Sequence, residues 1–330
     1  MKEVLLQIND LHIGYKMKSQ TYLIQENLNI NVKGGELICL IGPNGVGKST
    51  LLKTIGRILP DLGGEILISN QNLKSLSQNY FSRQIGIVLT DHVDVPLMKA
   101  VDIIAMGRFP YTGFWGKLKN EDWDIVYDVA TKVGLTYLLS RPFAELSDGE
   151  KQKVMIAKVL AQRTPLMLLD EPTAFLDFPT KSSLLILLRK LAREQNMGVV
   201  LSTHDIELAL KTADQIWMFP EHKRMISGAP EDLVLQGAIN EVFQNEVISF
   251  NRETGHFEKA FVPKKTAYVK GKGEKVFWLK KALTRNEILF QENADCMIVC
   301  KEKFEVYQKQ SLVAKVDCIE EVLELITEAY

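Results

Sequence analysis

The segment GPNGVGKST, residues 42–50, places tighter limits on the fold of this chain than any other stretch of its sequence. It fits the pattern G-x-x-x-x-G-K-[S/T], whose fixed positions here are Gly42, Gly47, Lys48 and Ser49. A continuous apolar run, LICLIG, precedes the segment, and a helical pattern follows it. A glycine-rich loop between a buried strand and a helix can wrap its backbone N–H groups around phosphate oxygens. The segment therefore predicts a phosphate-binding loop at the end of a sheet strand.

The fixed residues of this loop have separate tasks in phosphate binding. The Lys48 amine is placed to reach the β- and γ-phosphate oxygens, and the Ser49 hydroxyl to complete a Mg²⁺ site. Asn44, Gly45 and Thr50 share the loop, and we count them among the nucleotide contacts. The alternative, a glycine-rich turn that happens to precede a lysine, leaves the strand before the loop and the helix after it unexplained.

Two acidic residues follow a second buried strand pattern. LMLLDEP, residues 166–172, places Asp170 and Glu171 directly after an apolar run. Mg²⁺ prefers oxygen ligands and keeps several waters, which suits Asp170 as a ligand, directly or through water. Glu171 is suited to orient and polarise an attacking water. His204 ends the next apolar run and is expected at the same edge of the sheet, where it could contact the γ-phosphate or the water.

Short apolar strands alternate with helical patterns through most of the chain, which predicts an α/β fold with a parallel sheet and crossover helices. The strand patterns are LICLIG (37–42), LMLLD (166–170), GVVLST (198–203) and QIWMF (215–219). The helical patterns follow Lys48 and cover residues 150–161, 180–195 and 206–213.

Two stretches depart from this alternation. VLLQINDLHIGY and TYLIQENLNINVKGGE, near the start of the chain, predict an antiparallel hairpin layer laid on the parallel sheet. Residues 99–139 are mostly helical in pattern, and Asn120 is the expected N-cap of one of these helices.

The character of the chain changes near Pro263. VPKKTAYVKGKGEK, residues 262–275, is basic and contains glycine, which favours a linker or turn region. After it the sequence predicts one helix, two or three strands and an acidic closing helix. We therefore expect one domain over residues 1–262, with a helical subdomain over about 92–145, and a small α+β unit over 263–330.

Charge and hydropathy exclude several classes of protein. The formal net charge is −1, so no basic surplus points to nucleic acid, and we expect no nucleic-acid partner. The first ten residues contain no long apolar segment of a signal peptide, and no run approaches the roughly 18 apolar residues of a membrane span. We expect a cytoplasmic chain that can sit against a membrane protein.

Five motifs in order give the chain a family resemblance. These are GPNGVGKST, LSDGE (146–150), LMLLDEP, AFLD (174–177) and STHD (202–205). In this order the chain resembles the nucleotide-binding subunit of ATP-binding cassette (ABC) transporters, over about residues 1–260. The resemblance implies the P-loop NTPase fold of ABC ATPases, with ATP and Mg²⁺ as cofactors and ATP hydrolysis coupled to transport.

The resemblance also implies a site shared between two copies of the chain. In that family each ATP is held by the phosphate loop of one subunit and the signature turn of the other. Ser147, Gly149 and Glu150 of LSDGE would therefore bind the γ-phosphate of the partner's ATP, and Asp177 would cross the same interface. Ser147 is also a good helix N-cap with Glu150 three residues later, so a local capping role stands beside this one.

Further expectations follow from the resemblance at Tyr15 and in two places where this chain departs from the pattern. Tyr15 matches the aromatic residue that stacks on adenine, although a plain aromatic of the β layer is the alternative. The signature has Asp148 and Glu150 where the family usually has Gly and Gln. Thr90 stands where the family usually has a Gln that links Mg²⁺ to the helical subdomain, and either Thr90 or Asp91 would replace it.

The segment VDIIAMGRFPY, residues 101–111, indicates the type of transporter. Its GR-x-P-Y phrase resembles subunits that import iron–siderophore, haem and cobalamin compounds. The implied partners are integral-membrane permease subunits and, indirectly, a substrate-binding protein, with the chain peripheral on the cytoplasmic face of the membrane. The nearby aromatic residues either touch the permease or pack inside the helical subdomain; they are Phe109, Tyr111, Phe114 and Trp115.

The sequence is also compatible with other functions. The chain could energise transport of another substrate, or be a soluble ABC ATPase acting on DNA or ribosomes. Such soluble proteins usually carry two cassettes, a long insertion or a basic surface, and this chain shows none of these. A regulatory module that hydrolyses ATP poorly is a third possibility, which an intact Glu171 and His204 disfavour.

Overall fold

The computed structural model describes residues 2–17, 20–89, 95, 97–113, 115–221, 224–245, 247–259, 265–292 and 294–328. The chain divides into two compact units, the first over Met1–Phe243 and the second over Gln244–Tyr330. Each unit has its own hydrophobic core.

The first unit contains strands and helices in alternation. The described strands are β1 (Val4–Met17), β2 (Gln20–Lys33), β3 (Leu37–Ile41), β4 (Gly63–Ile68), β5 (Gln71–Asn72), β6 (Ile85–Val88), β7 (Leu166–Leu169), β8 (Gly198–Ser202), β9 (Gln215–Met218) and β10 (Ile226–Gly228). The described helices are α1 (Lys48–Ile55), α2 (Gln78–Gln84), α3 (Ala100–Ala105), α4 (Asn120–Lys132), α5 (Asp148–Ala161), α6 (Phe178–Glu194), α7 (Ile206–Thr212), α8 (Pro230–Leu235) and α9 (Ala238–Phe243).

A six-stranded sheet in the order β10-β9-β3-β8-β7-β6 forms the centre of this unit. Its five strands from β9 to β6 pair in parallel, and only β10 is antiparallel. Strands β3, β7 and β8 are buried at every position, as their continuous apolar sequences require when helices cover both faces. The four strands expected from the sequence are confirmed, each ending one residue earlier than its pattern.

An antiparallel layer packs on this sheet, which confirms the hairpin predicted at the start of the chain. Its four strands follow the order β2-β1-β4-β5. One core cluster combines side chains from this layer, such as Leu6 and Ile30, with Leu40 of β3 and Leu51 of α1. Helix α1 is therefore held between the two sheets, and the loop before it is fixed from both sides.

The helical part of the first unit lies between β6 and β7. Its described elements are α3, α4, α5 and three 3₁₀ segments over Met106–Tyr111, Thr136–Leu138 and Phe143–Glu145. The expected cap at Asn120 is wrong: α4 begins at Asn120, and Lys119 is the N-cap. The Asp122 carboxylate accepts a hydrogen bond from the Lys119 backbone N–H instead, because a carboxylate at the third position of a helix reaches back to the cap.

The second unit contains a two-stranded sheet and a five-stranded sheet. Its described elements are β11 (Ile248–Asn251), β12 (His256–Lys259), β13 (Lys265–Lys270), α10 (Glu274–Arg285), β14 (Ile288–Phe290), β15 (Cys296–Cys300), β16 (Phe304–Gln308), β17 (Ser311–Val316) and α11 (Ile319–Glu328). The larger sheet has the order β14-β13-β15-β16-β17, and side chains from α10 and α11 join its core. The small α+β character predicted for residues 263–330 is confirmed, and β11 and β12 of the same unit lie before that range.

The linker expected over residues 262–275 is wrong where the structure describes it. Residues Lys265–Lys270 form β13, an interior strand paired in parallel with both β14 and β15. Ala267 is fully buried at its centre. The lysines at the two ends of the strand suggested a solvated segment, whereas Thr, Tyr and Val between them favour a strand. Among the residues that the structure describes, no helix combines the length and apolar character needed to cross a membrane.

Candidate active site

The loop between β3 and α1 has the backbone that a phosphate-binding loop requires. Gly42 has φ 153°, and a Cβ there would lie 2.5 Å from the Phe219 carbonyl oxygen. Gly47 is the N-cap of α1 with φ 107° in the left-handed region, which a side chain would strain. Asn44 and Gly45 are exposed at the tip of the loop. The chain can therefore turn tightly and present N–H groups at the start of α1.

Lys48 is buried, and its side chain bonds to the backbone of the loop that precedes it. Its Nζ donates hydrogen bonds to the carbonyl oxygens of Gly42 and Pro43, each at 2.8 Å. Burial lowers the pKa of Lys48, and the nearby carboxylates of Glu171 and Asp170 oppose this shift. A buried ammonium group that is bonded only to carbonyl dipoles and faces two carboxylates is suited to bind phosphate oxygens.

Asp170 lies directly after β7 and receives two hydroxyl hydrogen bonds. Ser49 Oγ donates to Asp170 Oδ1 at 2.9 Å, and Ser202 Oγ donates to the same atom at 2.8 Å. The carboxylate is buried, and the Asp170 N–H donates to the Val88 carbonyl oxygen at 2.9 Å. The end of β7 is thus tied to its neighbouring strands β6 and β8.

The oxygen donors at this point fit Mg²⁺. Ser49 and Asp170 meet within hydrogen-bond distance of each other, and both present hard oxygen atoms. Among the described residues, no cluster of three or more His, Cys, Asp or Glu side chains could hold a metal ion. Mg²⁺ that binds together with phosphates needs only one or two protein oxygens, because water and phosphate supply the rest.

Glu171 and His204 meet at the same sheet edge. His204 Nε2 lies 2.5 Å from Glu171 Oε1. Glu171 has φ 48°, a left-handed conformation that is uncommon outside glycine, and its N–H donates to Ser202 Oγ at 2.8 Å. The structure therefore places Glu171 in a strained turn whose direction Ser202 fixes. Both side chains remain partly exposed, so water can reach them.

Ser202 is a site residue that the sequence reasoning missed. It is fully buried, and its hydroxyl donates to the Asp170 carboxylate and accepts from the Glu171 N–H. The sequence did contain a signal for Ser202. This residue ends an apolar run two residues before His204, on a strand that pairs with β7. Because parallel strands end at one edge, a polar residue there was a candidate neighbour of Asp170.

Tyr15 lies in β1 and reaches the helix that follows the phosphate loop. Its hydroxyl is 3.1 Å from Thr50 Oγ1, and Thr50 is buried in the first turn of α1. On β2, Gln25 Nε2 donates to the Val46 carbonyl oxygen at 3.1 Å. The β1–β2 hairpin is therefore attached to the phosphate loop at two points, with the Tyr15 ring partly exposed beside it.

The signature turn forms a separate cluster at the start of α5. Ser147 is the N-cap of α5, and its N–H and hydroxyl both donate to Glu150 Oε2 at 2.9 Å. The Glu150 N–H donates back to Ser147 Oγ at 3.3 Å, which completes the capping box expected from the sequence. These hydrogen bonds from Ser147 lower the pKa of Glu150. Asp148, beside them, is exposed.

Asp177 and Gly149 belong to the same region. Asp177 is the N-cap of α6 and accepts a hydrogen bond from the Thr180 N–H at 3.0 Å. A Cβ on Gly149 would approach Thr180 Cγ2 to 3.3 Å, so the signature turn packs closely on the start of α6. The polar contacts of Ser147, Glu150 and Asp177 are made within this region rather than with the phosphate loop. Thr90 and Asp91 lie outside the described residues.

Two family models match the chain. A model described as "ABC transporter" matches residues 25–174, and a model described as "Iron ABC transporter C-terminal domain" matches residues 264–327. The first range contains the phosphate loop, the signature turn, Asp170 and Glu171.

Known proteins resemble the chain over most of its length. It is 39% identical over 254 residues to an uncharacterized ABC transporter ATP-binding protein of Methanocaldococcus jannaschii, covering 77% of this chain and 86% of that protein. It is 32% identical over 238 residues to the ferric enterobactin transport ATP-binding protein FepC of Escherichia coli, covering 72% and 86%. A dimeric ATP-binding cassette in a post-hydrolysis state, bound to ADP and Pi, superposes with a TM-score of 0.60 at 28% identity, covering 68% and 99%.

Proposed function

This chain belongs to the ABC transporter family as an ATP-binding, ATP-hydrolysing subunit, and we propose that it drives the import of an iron chelate. The convergence of Lys48, Asp170, Glu171 and His204 at one edge of the parallel sheet carries the proposal for its chemistry. ATP binds with its phosphates at the start of α1, where backbone N–H groups and the Lys48 ammonium face them.

Each residue of the site has a role in hydrolysis that its contacts support. Glu171 orients and polarises the attacking water, because its carboxylate is partly exposed while its backbone is fixed by Ser202. His204 holds the Glu171 carboxylate in place and is free to contact the γ-phosphate. Ser49 and Asp170 would hold Mg²⁺, which neutralises phosphate charge when it is bound.

Two substitutions test this assignment. Lys48→Ala should abolish ATP binding, because the buried cation that faces the phosphates is lost. Glu171→Gln should bind ATP and lose at least about a hundredfold in turnover, as expected when a general base is removed. Glu194→Gln, an isosteric change at the exposed end of α6, is the matched control and should hydrolyse ATP like the parent. Parent-like turnover in Glu171→Gln would show that another group positions the water.

The chain is proposed to act as an ATP-bound homodimer. The separate location of the signature turn supports this, because Ser147 and the Gly149 N–H do not serve the phosphate loop of their own chain. The dimeric cassette with bound ADP and Pi supports the same arrangement. Ser147→Arg should bind ATP and fail to dimerise, while Ser82→Arg on α2 should dimerise normally. If Ser147→Arg still forms dimers with ATP in a sedimentation experiment, the site is not shared between two subunits.

The substrate proposal rests on the relatives and on the second unit. FepC is a ferric enterobactin transport protein, and the model that matches residues 264–327 is named for iron transporters. We propose that the chain sits on permease subunits at the cytoplasmic face of the membrane and receives substrate through a binding protein. The test is ATPase activity of the reconstituted transporter with the binding protein loaded with a ferric siderophore, haem or cobalamin. The ferric siderophore should stimulate most; stimulation by cobalamin alone would overturn the iron assignment.

A further inference from the structure

The hairpin of β1 and β2 places a second tyrosine beside Tyr15. Tyr22 lies directly opposite Tyr15 in the antiparallel pair, and the register is regular from Gly14 to Met17. Residues directly opposite each other in such a pair project from the same face of the sheet. The Tyr22 side chain therefore lies on the face that Tyr15 uses to reach α1.

Glycine at position 14 fixes the two strands close together at this point. A Cβ on Gly14 would lie 2.0 Å from the Tyr22 carbonyl oxygen, so no other residue fits without moving the strands. The backbone of Tyr22 is thereby held next to that of Tyr15. The register therefore fixes the separation of the two backbones, from which both side chains project on the same face.

The hydroxyl groups of the two tyrosines are anchored in different directions. The Tyr15 hydroxyl pairs with Thr50 on α1, whereas the Tyr22 hydroxyl donates to Gln20 Oε1 at 2.9 Å, toward the end of the hairpin. Tyr15 is 41% exposed and Tyr22 is 46% exposed. Within the described part of the chain, neither ring stacks on another aromatic ring. Both rings are therefore partly open to solvent on one face of the hairpin, and the Tyr15 ring lies next to the helix that follows the nucleotide loop.

We propose that Tyr22 forms, together with Tyr15, a two-ring platform for the base of ATP. Aromatic rings bind nucleobases through their faces, and this interaction needs no partner for the edge of the base. With both hydroxyl groups already engaged, the platform recognises a flat base rather than a pattern of donors and acceptors. The inference rests on the ATP site proposed above and adds a residue to it.

Equilibrium binding of two ligands to the full chain tests the platform. The ligands are a non-hydrolysable imido analogue of ATP, which carries the base, and tripolyphosphate, which lacks it, both with Mg²⁺. Tyr22→Ala should weaken binding of the analogue by roughly five- to a hundredfold, the range for loss of one stacked base. Its affinity for tripolyphosphate should stay within about twofold of the parent. Tyr22→Phe should bind both ligands like the parent, because the ring is kept.

Leu23→Ala is the matched control. Leu23 is the exposed neighbour of Tyr22 and lies opposite Gly14, on the other face of the hairpin. It should leave both affinities unchanged. Parent-like binding of the analogue by Tyr22→Ala would overturn the proposal, and so would equal weakening of both ligands, since that indicates a disturbed phosphate loop. A failure of the ATP site itself differs from both, because the parent would then bind neither ligand, as expected for Lys48→Ala.

Discussion

Ser202 shows how a residue without a motif role can determine the geometry of two residues that have one. Its hydroxyl donates to the Asp170 carboxylate and accepts from the Glu171 N–H, so it orients the Asp170 side chain and fixes the backbone turn at Glu171. Groups that orient a metal ligand typically change metal affinity or activity by about ten- to a hundredfold when removed. Ser202 is a positioning residue by this reasoning.

Ser202→Ala should raise the Mg²⁺ concentration needed for half-maximal ATP hydrolysis by about tenfold. Asp170 then lacks one of its two hydroxyl donors, and the Glu171 N–H loses its acceptor. Binding of ATP without metal should change little, because Lys48 and the loop glycines are untouched. Ser75→Ala, whose hydroxyl donates to the Asn72 carbonyl oxygen, is the control. An unchanged Mg²⁺ dependence of turnover in Ser202→Ala would show that the Ser202 hydroxyl does not orient Asp170.

The sequence predicted the site residues that have a fixed spacing and also His204 at the end of a neighbouring strand, but it missed Ser202 on that same strand. Gly42, Lys48 and Ser49 are recognisable because loop, helix start and phosphate must fit together within nine residues. Ser202 depends on the pairing of β7 with β8, which sequence spacing does not contain. The role of Tyr22 depends in the same way on the register of β1 and β2.

At the scale of elements, the visibility of the apolar pattern separates the accurate strand predictions from the wrong prediction of a linker over residues 262–275. The parallel strands have unbroken apolar runs because both faces are covered, and such runs are visible in the sequence. Strand β13 carries lysines at both ends, Lys265 and Lys270, and only Ala267 within it is fully buried. The Lys265 amine donates to the carbonyl oxygens of Ile326 and Thr327 in α11, each at 3.2 Å, so the charge that suggested a solvated segment belongs to a strand attached to a helix.

The segment around GRFPY has side chains of both predicted kinds: some pack inside the protein, and others are exposed to solvent. Arg108 is buried: its Nε donates to Asp122 Oδ1 at 2.9 Å, its Nη1 to the Ala161 carbonyl oxygen at 2.8 Å, and its guanidinium lies 4.0 Å from the Tyr111 ring centroid. Phe109, by contrast, is 53% exposed, and Trp115 is more exposed still. Internal packing therefore explains Arg108 and Tyr111. The exposed rings are the ones available to a permease, whereas Phe114 lies outside the described residues.

We expect replacement of Arg108 to lower the stability of the fold, and replacement of Phe109 to weaken the coupling of ATP hydrolysis to the permease. Arg108→Ala leaves the buried Asp122 without its cation and should lower the free energy of unfolding by about 3–5 kcal/mol. Phe109→Ala should change it by less than about 0.5 kcal/mol, as is usual for exposed positions, while reducing permease-stimulated ATP hydrolysis. Denaturant unfolding and the ratio of stimulated to basal hydrolysis measure the two effects. A parent-like stimulation ratio in Phe109→Ala would remove this ring from the permease contact.

The Arg108–Asp122 pair also has a defined pH dependence. The Lys119 N–H, followed by the Arg108 guanidinium, lowers the pKa of the Asp122 carboxyl. A carboxyl whose pKa is depressed by folding stabilises the protein above its ordinary pKa, and this contribution is lost as the pH falls through the lowered value. The difference in stability between the parent and Arg108→Ala should therefore narrow in acid.

At the scale of the whole molecule, the two units have separate hydrophobic cores, so we expect bound nucleotide to stabilise one unit and not the other. The core of the first unit includes residues around α1, the helix that begins at the phosphate loop. The core of the second unit is built from its own sheet with α10 and α11, and the ATP-site residues all belong to the first unit. Cooperative units with independent cores unfold as separate transitions, and a ligand stabilises only the state that binds it.

Calorimetry of the full chain should therefore show two unfolding transitions, of which the imido analogue of ATP with Mg²⁺ moves only one. At a ligand concentration about a hundred times Kd, binding contributes about 2.7 kcal/mol, which raises Tm by about 5–10 °C for a unit of this size. The second transition should stay where it is, because its unit contributes no residue to the site. In Lys48→Ala neither transition should move with the analogue, which separates binding from a general effect of the salt. A single transition that shifts as a whole would show that the two units unfold together, and nucleotide bound to the first would then stabilise the second as well.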